Sequence, residues 1–274
     1  MNPDITQCPR VLLFIPAYNC APQLRRVLRR VAESARSFHE VLVVDNGSPD
    51  HTLAAAQDSA ASLGTKLTIV RNLQNLNLGG SHKVAFKYAM KNNFDLLVIL
   101  HGDDQADVRD VLPLLASIKK DSAIDCWLGS RFMSGSQRTG YSSIRTLGNI
   151  VFNALFSAVT LRWISDLGSG LNVYSVKALA KTDWMGFRNN LTFNYFLTLA
   201  YAEWRWNCVF FPITWRETDQ VSNVRALRQI REMLAMLTKY VFDRNWIFKK
   251  DHNGLNLESY EANVVYSHSP KELN

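Results

Sequence analysis

Two adjacent acidic residues follow a short apolar segment near the middle of the chain. The segment 96–100 contains only leucine, valine and isoleucine, and it is followed by His101-Gly102-Asp103-Asp104-Gln105. Two neighbouring carboxylates repel each other unless a cation compensates their charge. Mg²⁺ or Mn²⁺ is a suitable cation, because it binds carboxylate oxygens and leaves positions open for the phosphates of a substrate. The residue types therefore predict a metal and phosphate site, with a solvent-exposed acidic turn as the alternative.

Polar motifs follow two earlier apolar segments of the same kind. Pro16-Ala17-Tyr18-Asn19 follows residues 11–15, and Asp45-Asn46-Gly47-Ser48 follows residues 41–44. Continuous apolar runs of this length predict strands that are buried on both faces. In a parallel sheet the carboxyl ends of the strands meet at one edge, where ligands bind. We therefore expect Asp45 and Asp103 to lie on the same side of the sheet.

Strands and helices alternate in the first half of the chain, which indicates βαβ units and a parallel sheet. Strands are expected at 11–15, where Pro16 ends the strand, and at 41–44, 66–70, 96–100 and 126–129. Helices are expected from Pro22, after Ser48, at 81–91 and at 108–120. Beyond residue 131 we expect a polar loop at 135–143, helices at 145–161, 193–201 and 227–241, and a strand at 208–211. From Asp251 the chain has little periodic pattern, so we expect weak order there.

The composition bounds the class of protein. The chain has 274 residues, of which 47% are hydrophobic and 20% charged, so it can form one large or two small globular domains. Its formal net charge of +7 favours anionic partners such as nucleotide or lipid phosphates. The 4 cysteines are far apart and form no CxxC pair, so we expect no zinc site, no disulfide framework and a reducing cytosol.

Sequence patterns of several other classes are missing. The first ten residues contain no apolar signal-peptide core, and the apolar stretch 150–161 is too short to span a bilayer. We therefore expect a cytoplasmic protein that is soluble or peripheral on the inner face of the membrane. No helix-turn-helix, finger or aromatic RNA-binding signature indicates a nucleic-acid partner. No GxGxxG follows the first strand, which argues against a dinucleotide-binding dehydrogenase.

Six motifs, in order, resemble those of the family 2 glycosyltransferases, and more narrowly their dolichol-phosphate mannosyltransferase-like branch. The motifs are Ile15-Pro16-Ala17-Tyr18-Asn19, Val44-Asp45-Asn46-Gly47-Ser48, Asn77-Leu78-Gly79-Gly80, Gly102-Asp103-Asp104-Gln105, Gly129-Ser130-Arg131 and Asp166-Leu167-Gly168-Ser169-Gly170. The resemblance covers residues 11–223. It implies the GT-A fold, an α/β architecture with a Rossmann-like, mostly parallel sheet flanked by helices, and C-terminal helices on the acceptor side.

The same resemblance implies a division of the chain. We expect a glycosyltransferase domain over residues 1–223, with a nucleotide-sugar half at about 10–131 and an acceptor half at about 132–223. An amphipathic helix and a polar tail would follow over residues 224–274. The polar segment 215–223 resembles the acceptor-side loop of these enzymes, with an ordinary surface turn as the alternative.

The resemblance further implies an inverting transfer from a UDP- or GDP-sugar with Mg²⁺ or Mn²⁺. The residues expected to bind the donor are Pro16, Tyr18 and Asn19 in the nucleoside pocket, Asp45 at the base or ribose, and Gly47, Asn77, Gly79 and Asp104 in the neighbouring motifs. Asp103 and Gln105 would hold the metal with the diphosphate. Arg131 would contact the phosphates through its guanidinium.

The sequence departs from the family pattern at two positions. Asn46 replaces the second acid of the first motif, and His101 stands where the metal motif often has its first acid. His101 would either bind the metal or orient another ligand, although hard cations prefer oxygen. Two alternatives to a transferase stay open: a catalytically silent nucleotide-sugar-binding relative, and a nucleotidyltransferase. The latter usually has a Gly-rich, basic loop after the first strand, and residues 16–19 are not of that kind.

The acceptor depends on whether the site has a general base. The region where such transferases often carry an acid resembles residues 193–196, which contain no carboxylate, and the remaining candidates are Asp166, Glu217 and Asp219. A hydroxyl acceptor needs such a base, whereas the oxygen of a lipid phosphate is already anionic. The missing acid and the positive net charge favour a polyprenyl phosphate acceptor. A saccharide acceptor stays open because no spanning helix is predicted.

Two amphipathic helices could place the protein at a membrane. One carries Ile144, Leu147, Val151, Leu155 and Val159 near one face, and the other, at 227–241, carries Arg228, Arg231 and Lys239. An apolar face flanked by basic residues can lie in the interface of an anionic membrane. Alternatively, these helices pack on the sheet or form the contact of a homo-oligomer.

Overall fold

The computed structural model describes residues 8–120, 122–219, 226–249, 251–253 and 260–270. Its strands are β1 Val11–Ala17, β2 Glu40–Asp45, β3 Lys66–Arg71, β4 Leu96–Leu100, β5 Cys126–Ser130, β6 Gln137–Thr139, β7 Leu171–Ser175, β8 Cys208–Pro212, β9 Thr214–Arg216 and β10 Val264–His268. Its α-helices are α1 Ala21–Ala32, α2 Thr52–Asp58, α3 Asn77–Lys91, α4 Leu112–Ser117, α5 Ser143–Thr160, α6 Val176–Leu179, α7 Phe193–Glu203 and α8 Ala226–Phe242. Short 3₁₀ helices span Ala35–Ser37, Ala60–Ser62, Val108–Val111 and Arg244–Ile247.

A mixed sheet of 8 strands, in the order β10-β3-β2-β1-β4-β7-β5-β8, forms the centre of the molecule. Strands β1 to β4 are mutually parallel, and β5 is parallel to β8. Strand β7 is antiparallel to both β4 and β5, and β10 is antiparallel to β3. Strands β6 and β9 form a separate parallel pair. The predicted α/β architecture with a mostly parallel sheet flanked by helices is therefore confirmed.

Helices cover both faces of the sheet. Leu12 and Phe14 of β1 belong to an apolar cluster shared with α3 and α7, whereas Leu13 and Ile15 belong to a second cluster shared with α1. Successive side chains of a strand point to opposite faces, so a strand buried on both sides must be apolar throughout. This is why the strands appear in the sequence as continuous apolar runs.

Some predicted boundaries were wrong. Strand β1 continues through Pro16, whose carbonyl oxygen accepts a hydrogen bond from the Gly102 amide at 3.1 Å, so only the missing N–H of the proline is lost to the ladder. Helix α3 begins at Asn77 rather than at residue 81, and α4 ends at Ser117. The predicted loop at 135–143 contains β6, because β9 pairs with it.

The C-terminal region contains a strand where we expected weak order. Strand β10 pairs with the edge strand β3, and Tyr260 is fully buried beside it in the chain. A hydrogen bond from the Asn189 side-chain amide to the Tyr260 hydroxyl, at 2.9 Å, further fixes this segment. The expectation was therefore wrong for residues 260–268. The division after residue 223 stays a prediction, because residues 220–225 lie outside the described part.

None of the helices in the described part of the chain combines the length and the apolar character needed to cross a bilayer.

Candidate functional site

A cavity of about 920 Å³ lies where the carboxyl ends of β1, β2 and β4 meet. The loops after these strands contribute Pro16, Tyr18, Asn19, Asn46, His101 and Asp103 to its wall. The convergence follows from the parallel order β2-β1-β4, which places these three strand ends side by side. The structure therefore brings together loop residues as far apart in the sequence as Pro16 and Asp103.

The loop after β2 is held by a network of amides centred on Asn46. The Asn46 side chain donates a hydrogen bond to Asn75 at 2.7 Å and accepts hydrogen bonds from Asn72 at 2.8 Å and from the Leu76 amide at 2.9 Å. An aspartate could accept two of these bonds but could not donate the third. The departure from the family pattern at Asn46 thus has a local structural reason.

Asp45 lies beneath this loop and is fully buried. Its carboxylate accepts a hydrogen bond from the Ser48 amide at 3.0 Å and lies 3.3 Å from the Arg71 guanidinium. The wall of the cavity at this point is Asn46, and Asp45 is not part of it. Gly47 adopts the left-handed region with φ of 73°, which explains the glycine without a ligand. Binding of a nucleoside by Asp45 or Gly47 stays a prediction.

The glycines at the start of α3 allow close packing. A Cβ atom on Gly79 would lie 2.7 Å from Phe193, and the Gly79 amide already donates to the Asn189 carbonyl oxygen at 2.6 Å. Gly79 is not part of the cavity wall, so its expected contact with the donor stays a prediction that this placement does not support. Asn77, which has a left-handed φ of 59°, does line it.

Asp103 is the carboxylate that β4 places at the cavity. Its side chain is 27% exposed, and its Oδ2 lies 3.9 Å from Nδ1 of His101. Burial raises the pKa of Asp103 to about 6. Burial, and then the charge of Arg131, lowers the pKa of His101 to about 4, so this imidazole is neutral near pH 7 and does not compensate the carboxylate.

A divalent cation fits these donor groups only together with a substrate. In the part of the chain that the structure describes, no three His, Cys, Asp or Glu side chains come together as a metal-binding group. Asp103 supplies a hard oxygen donor in the wall of the cavity. Mg²⁺ and related ions are commonly bound by one or two carboxylates plus substrate phosphates, so Asp103 suits such an ion when a diphosphate is present.

Asp104 points away from the cavity, toward helix α1. Its carboxylate pairs with Arg26 at 2.5 Å and with Arg30, and its φ is 66°. The structure therefore does not place Asp104 in the cavity wall, and its expected contact with the donor stays a prediction that this placement does not support. Gln105 does not line the cavity either, and its carbonyl oxygen accepts a hydrogen bond from the Arg216 amide at 2.8 Å. Metal binding by Gln105 stays a prediction, and its placement does not support it.

Arg131 and Asp166 form a buried, bidentate ion pair. The Asp166 carboxylate accepts hydrogen bonds from Nε of Arg131 at 2.7 Å and from NH2 at 2.8 Å. It also accepts from the amides of Arg131 and Gly168, each at 3.0 Å. Burial lowers the pKa of Arg131, but the carboxylate of Asp166 outweighs this effect and raises it overall. The ring of Trp215 covers the guanidinium at 4.8 Å.

This pairing argues against two expectations, which stay predictions. Asp166 has no oxygen left to take a proton from an acceptor, so it is not placed to act as a base. Arg131 is committed to Asp166 and does not line the large cavity, so a contact with phosphates there is not supported. Both residues instead join the ends of β5 and the segment before β7.

The other two candidate bases differ in position. Glu217 pairs with Arg145 at 2.6 Å and does not line the cavity, whereas Asp219 lines it and pairs with Arg26 at 2.8 Å. The hydrogen bond from Arg26 lowers the pKa of Asp219. Asp219 is therefore the one of the three acids that the structure places at the cavity. Residues 220–223 of the predicted acceptor-side loop lie outside the described part.

Several residues of the cavity wall had no assignment from the sequence. They come from α1, from the loop before α7 and from α8, and they are Gln23, Asn190, Leu191, Arg228, Gln229 and Glu232. The amphipathic pattern of α8 predicts a helix with one polar face, but it does not show what that face contacts. The packing of α8 beside α5 and α7 places part of this face in the cavity wall.

The sequence of the chain matches a known protein family and several individual proteins. The model of the glycosyl transferase family 2 matches residues 13–182. The polyprenol monophosphomannose synthase of Mycolicibacterium smegmatis is 24% identical over 232 residues, which cover 84% of this chain and 86% of the relative. The dolichol-phosphate mannosyltransferase of Pyrococcus furiosus is 27% identical over 139 residues, which cover 50% of this chain and 38% of the relative.

Solved structures show the same fold at low identity. The glucosyl-3-phosphoglycerate synthase of Mycobacterium tuberculosis in complex with Mn²⁺, UDP and glucosyl-3-phosphoglycerate has a TM-score of 0.56 and 16% identity, over 86% of this chain and 80% of that one. A mannosyltransferase from Pyrobaculum calidifontis in complex with GDP-Man and Mn²⁺ has a TM-score of 0.56 and 20% identity, over 91% and 67%.

Proposed function

Since the chain belongs to the glycosyl transferase family 2 and is a glycosyltransferase with the GT-A fold, we propose that it moves a sugar from a nucleoside-diphosphate sugar to a polyprenyl phosphate. The proposal includes a UDP- or GDP-sugar donor, a divalent cation and inversion at the sugar carbon. The observation that carries it is the position of the Asp103 carboxylate, which the carboxyl end of β4 places in the wall of the 920 Å³ cavity. The relatives named for lipid-phosphate acceptors support the choice of acceptor.

We assign different residues of the cavity wall to different parts of the donor. Tyr18, Asn19 and Asn77 line the part of the cavity beneath β1 and α3, and we assign them to the nucleoside. Asp103 would hold Mg²⁺ or Mn²⁺ together with the diphosphate. When bound, such a cation stabilises the negative charge that grows on the leaving diphosphate. His101 lies beside Asp103, with its Nδ1 3.9 Å from Oδ2 of the carboxylate, and we do not assign it as a metal ligand because hard cations prefer oxygen.

A phosphate acceptor fits the acids of the site better than a hydroxyl acceptor. Asp219 is the candidate base that lines the cavity, and its ion pair with Arg26 stabilises the ionised form and so weakens it as a base. A phosphate oxygen is anionic near pH 7 and needs no base. A saccharide acceptor, with Asp219 as the base, is the second candidate.

Exposed apolar residues favour a contact with a membrane. In α5, Ile144 is 84% exposed and Leu147 is 64% exposed, and the same side of the helix carries Ile150, Val151 and Leu155. Most of this face is exposed, whereas Val159 near the end of the helix packs against the apolar core. The exposed part favours a contact outside the chain, and a homo-oligomer is the alternative to a membrane. Arg145, in the first turn of α5, and Arg162, just after its C-terminal end, place positive charge at the two ends of the helix, which suits an anionic lipid bilayer. We therefore propose peripheral attachment to such a bilayer.

The transfer proposal is tested by replacing Asp103 with asparagine. With a panel of UDP- and GDP-sugars as donors and with Mn²⁺, transfer to a short prenyl phosphate should fall at least about 100-fold, because a charged group that acts on the transition state is lost. The Mn²⁺-dependent rise in melting temperature with the matching nucleoside diphosphate should disappear as well. Asp58→Asn, at an exposed ion pair with Arg25, is the control and should behave like the wild type. Wild-type turnover of the Asp103→Asn enzyme at saturating Mn²⁺ would contradict the proposal.

Membrane attachment is tested separately by flotation with phosphatidylglycerol liposomes. The protein should float at low salt, and the variant Leu147→Glu/Leu155→Glu should stay folded but remain at the bottom. If this variant instead converts a dimer to a monomer, or if the wild type never floats, the apolar face has another use.

A further inference from the structure

A second cavity, of about 540 Å³, adjoins the first and is strongly basic. We call it the basic groove, and its wall is formed by Arg188, Arg228, Arg231, Glu232, Met236, Lys239 and Trp246, with Ala235 at the centre of the helical side. Four cationic side chains thus face one carboxylate. A concave wall of this charge concentrates anions from solution.

Helix α8 builds most of the basic groove. Arg228, Arg231, Glu232, Ala235 and Lys239 recur at helical spacing, so they lie along one side of the helix. The opposite wall comes from Arg188, in the loop before α7, and from Trp246, in the 3₁₀ helix after α8. The groove is therefore formed by three separate segments and not by one flexible surface loop.

Most of the positive charge in the groove is uncompensated. Glu232 pairs with Arg228 at 2.9 Å, and the Lys239 ammonium lies 5.1 Å from the centre of the Trp246 ring. Within the described residues, the guanidinium groups of Arg188 and Arg231 form no hydrogen bond and no ion pair with other side chains. Cations that repel one another across a groove are stabilised by a shared anion.

The position of the groove indicates which anion it takes. Arg228 and Glu232 line both the groove and the large cavity, so the two spaces are neighbours with a common wall. On another side of the same helix, Leu227, Ile230 and Leu234 are exposed. A ligand with a phosphate group and a hydrocarbon chain could bind the basic groove with its phosphate and the exposed apolar side chains with its hydrocarbon chain.

We propose that the basic groove binds the phosphate group of the acceptor at the mouth of the donor cavity, with Arg188, Arg231 and Lys239 as its ligands. This inference rests on the proposed function, because it takes the acceptor to be a prenyl phosphate. The guanidinium groups would donate charge-assisted hydrogen bonds to the phosphate oxygens. Exposed leucine and isoleucine side chains of α8 would contact the first part of the hydrocarbon chain.

The test is a calorimetric titration with farnesyl phosphate in the absence of donor, with farnesol and inorganic phosphate as comparison ligands. Arg231→Gln and Ala235→Glu each lower the charge of the groove by one, and each should weaken farnesyl phosphate binding about tenfold. Arg29→Gln removes one exposed charge from α1, outside both cavities, and should have no effect. Melting temperatures of all variants should stay within about 2 °C of the wild type, since these residues are exposed.

A separate measurement separates this inference from the proposed function. The affinities for UDP- and GDP-sugars should be the same in the wild type, Arg231→Gln and Ala235→Glu. If the wild-type protein binds farnesyl phosphate but no nucleotide sugar, the transferase proposal is refuted and the assignment of the groove is not. Equal farnesyl phosphate affinity in wild type, Arg231→Gln and Ala235→Glu would overturn the inference. It would also be overturned if the variants lost only binding to phosphatidylglycerol vesicles, because the groove would then serve bulk lipid rather than the acceptor.

Discussion

Replacing Asp166 with asparagine should destabilise the protein, because it leaves the guanidinium of Arg131 buried without its counter-charge. The carboxylate is fully buried, and it receives four hydrogen bonds, three of them from Arg131. Removing one partner of a buried ion pair typically costs about 3–5 kcal/mol. For a chain of this size that corresponds to a fall in melting temperature of about 10 °C.

Urea denaturation of a double-mutant cycle measures the interaction. The single variants Asp166→Asn and Arg131→Met should each lose about 3 kcal/mol or more, whereas the double variant should lose clearly less than their sum. The matched control is Asp58→Asn, which breaks an exposed pair with Arg25 and should cost less than about 1 kcal/mol. The activity of Asp166→Asn, measured well below its melting temperature, should fall far less than that of Asp103→Asn.

One result would refute this reasoning. If Asp166→Asn keeps the wild-type melting temperature within about 2 °C and still loses more than about 100-fold in transfer, Asp166 acts in the chemistry. The pair with Arg131 would then be a resting arrangement that opens when the acceptor binds.

Three further results are expected from single substitutions. Gly79→Ala should lower the free energy of unfolding by about 1–3 kcal/mol, because the new Cβ would lie 2.7 Å from Phe193. The control Gly148→Ala, whose Cβ meets no atom within 4 Å, should be neutral or stabilising in thermal melts, and equal melting temperatures of the two variants would contradict the packing role of Gly79. Burial lowers the pKa of Lys83 to about 7, so above pH 7 the unfolded chain binds a proton at this lysine that the folded chain does not. The free energy of unfolding of the wild type relative to Lys83→Met should therefore rise by about 2 kcal/mol from pH 7 to 9, and a difference that does not change with pH would refute the assignment. Asp45→Ala should weaken nucleotide binding by about 1.5–3 kcal/mol in calorimetry without a matching loss in turnover of bound donor, and unchanged affinity would remove Asp45 from the nucleoside site.

The sequence by itself determined the alternation of strands and helices in the first half of the chain and the edge at which the polar loops converge. Strands β2 and β4 were predicted within one residue of their ends, because each is buried on both faces and therefore apolar throughout. Their parallel order follows from the alternation with helices, and it places Asn46 and Asp103 at one cavity. These inferences need only the local period of the sequence and the handedness of βαβ connections.

The tertiary structure decided what the polar side chains contact. Asp103 and Asp104 are adjacent in sequence, yet one faces the cavity and the other pairs with Arg26 in α1. Asp166 is a candidate base by its residue type, but its carboxylate oxygens accept hydrogen bonds from Arg131, thirty-five residues earlier in the chain. The partner of a buried charge is set by packing between distant segments, where desolvation enforces pairing, and no local pattern records it.

The same reason explains α8 and β10. The spacing in α8 shows that one side is basic, but only its packing next to Arg188 and Trp246 turns that side into the wall of a groove. The short apolar run of β10 is too weak a signal alone, and the open edge of β3 supplies the hydrogen-bond partners that make it a strand. Local periodicity therefore predicts which elements form, whereas long-range contacts decide where their functional surfaces meet.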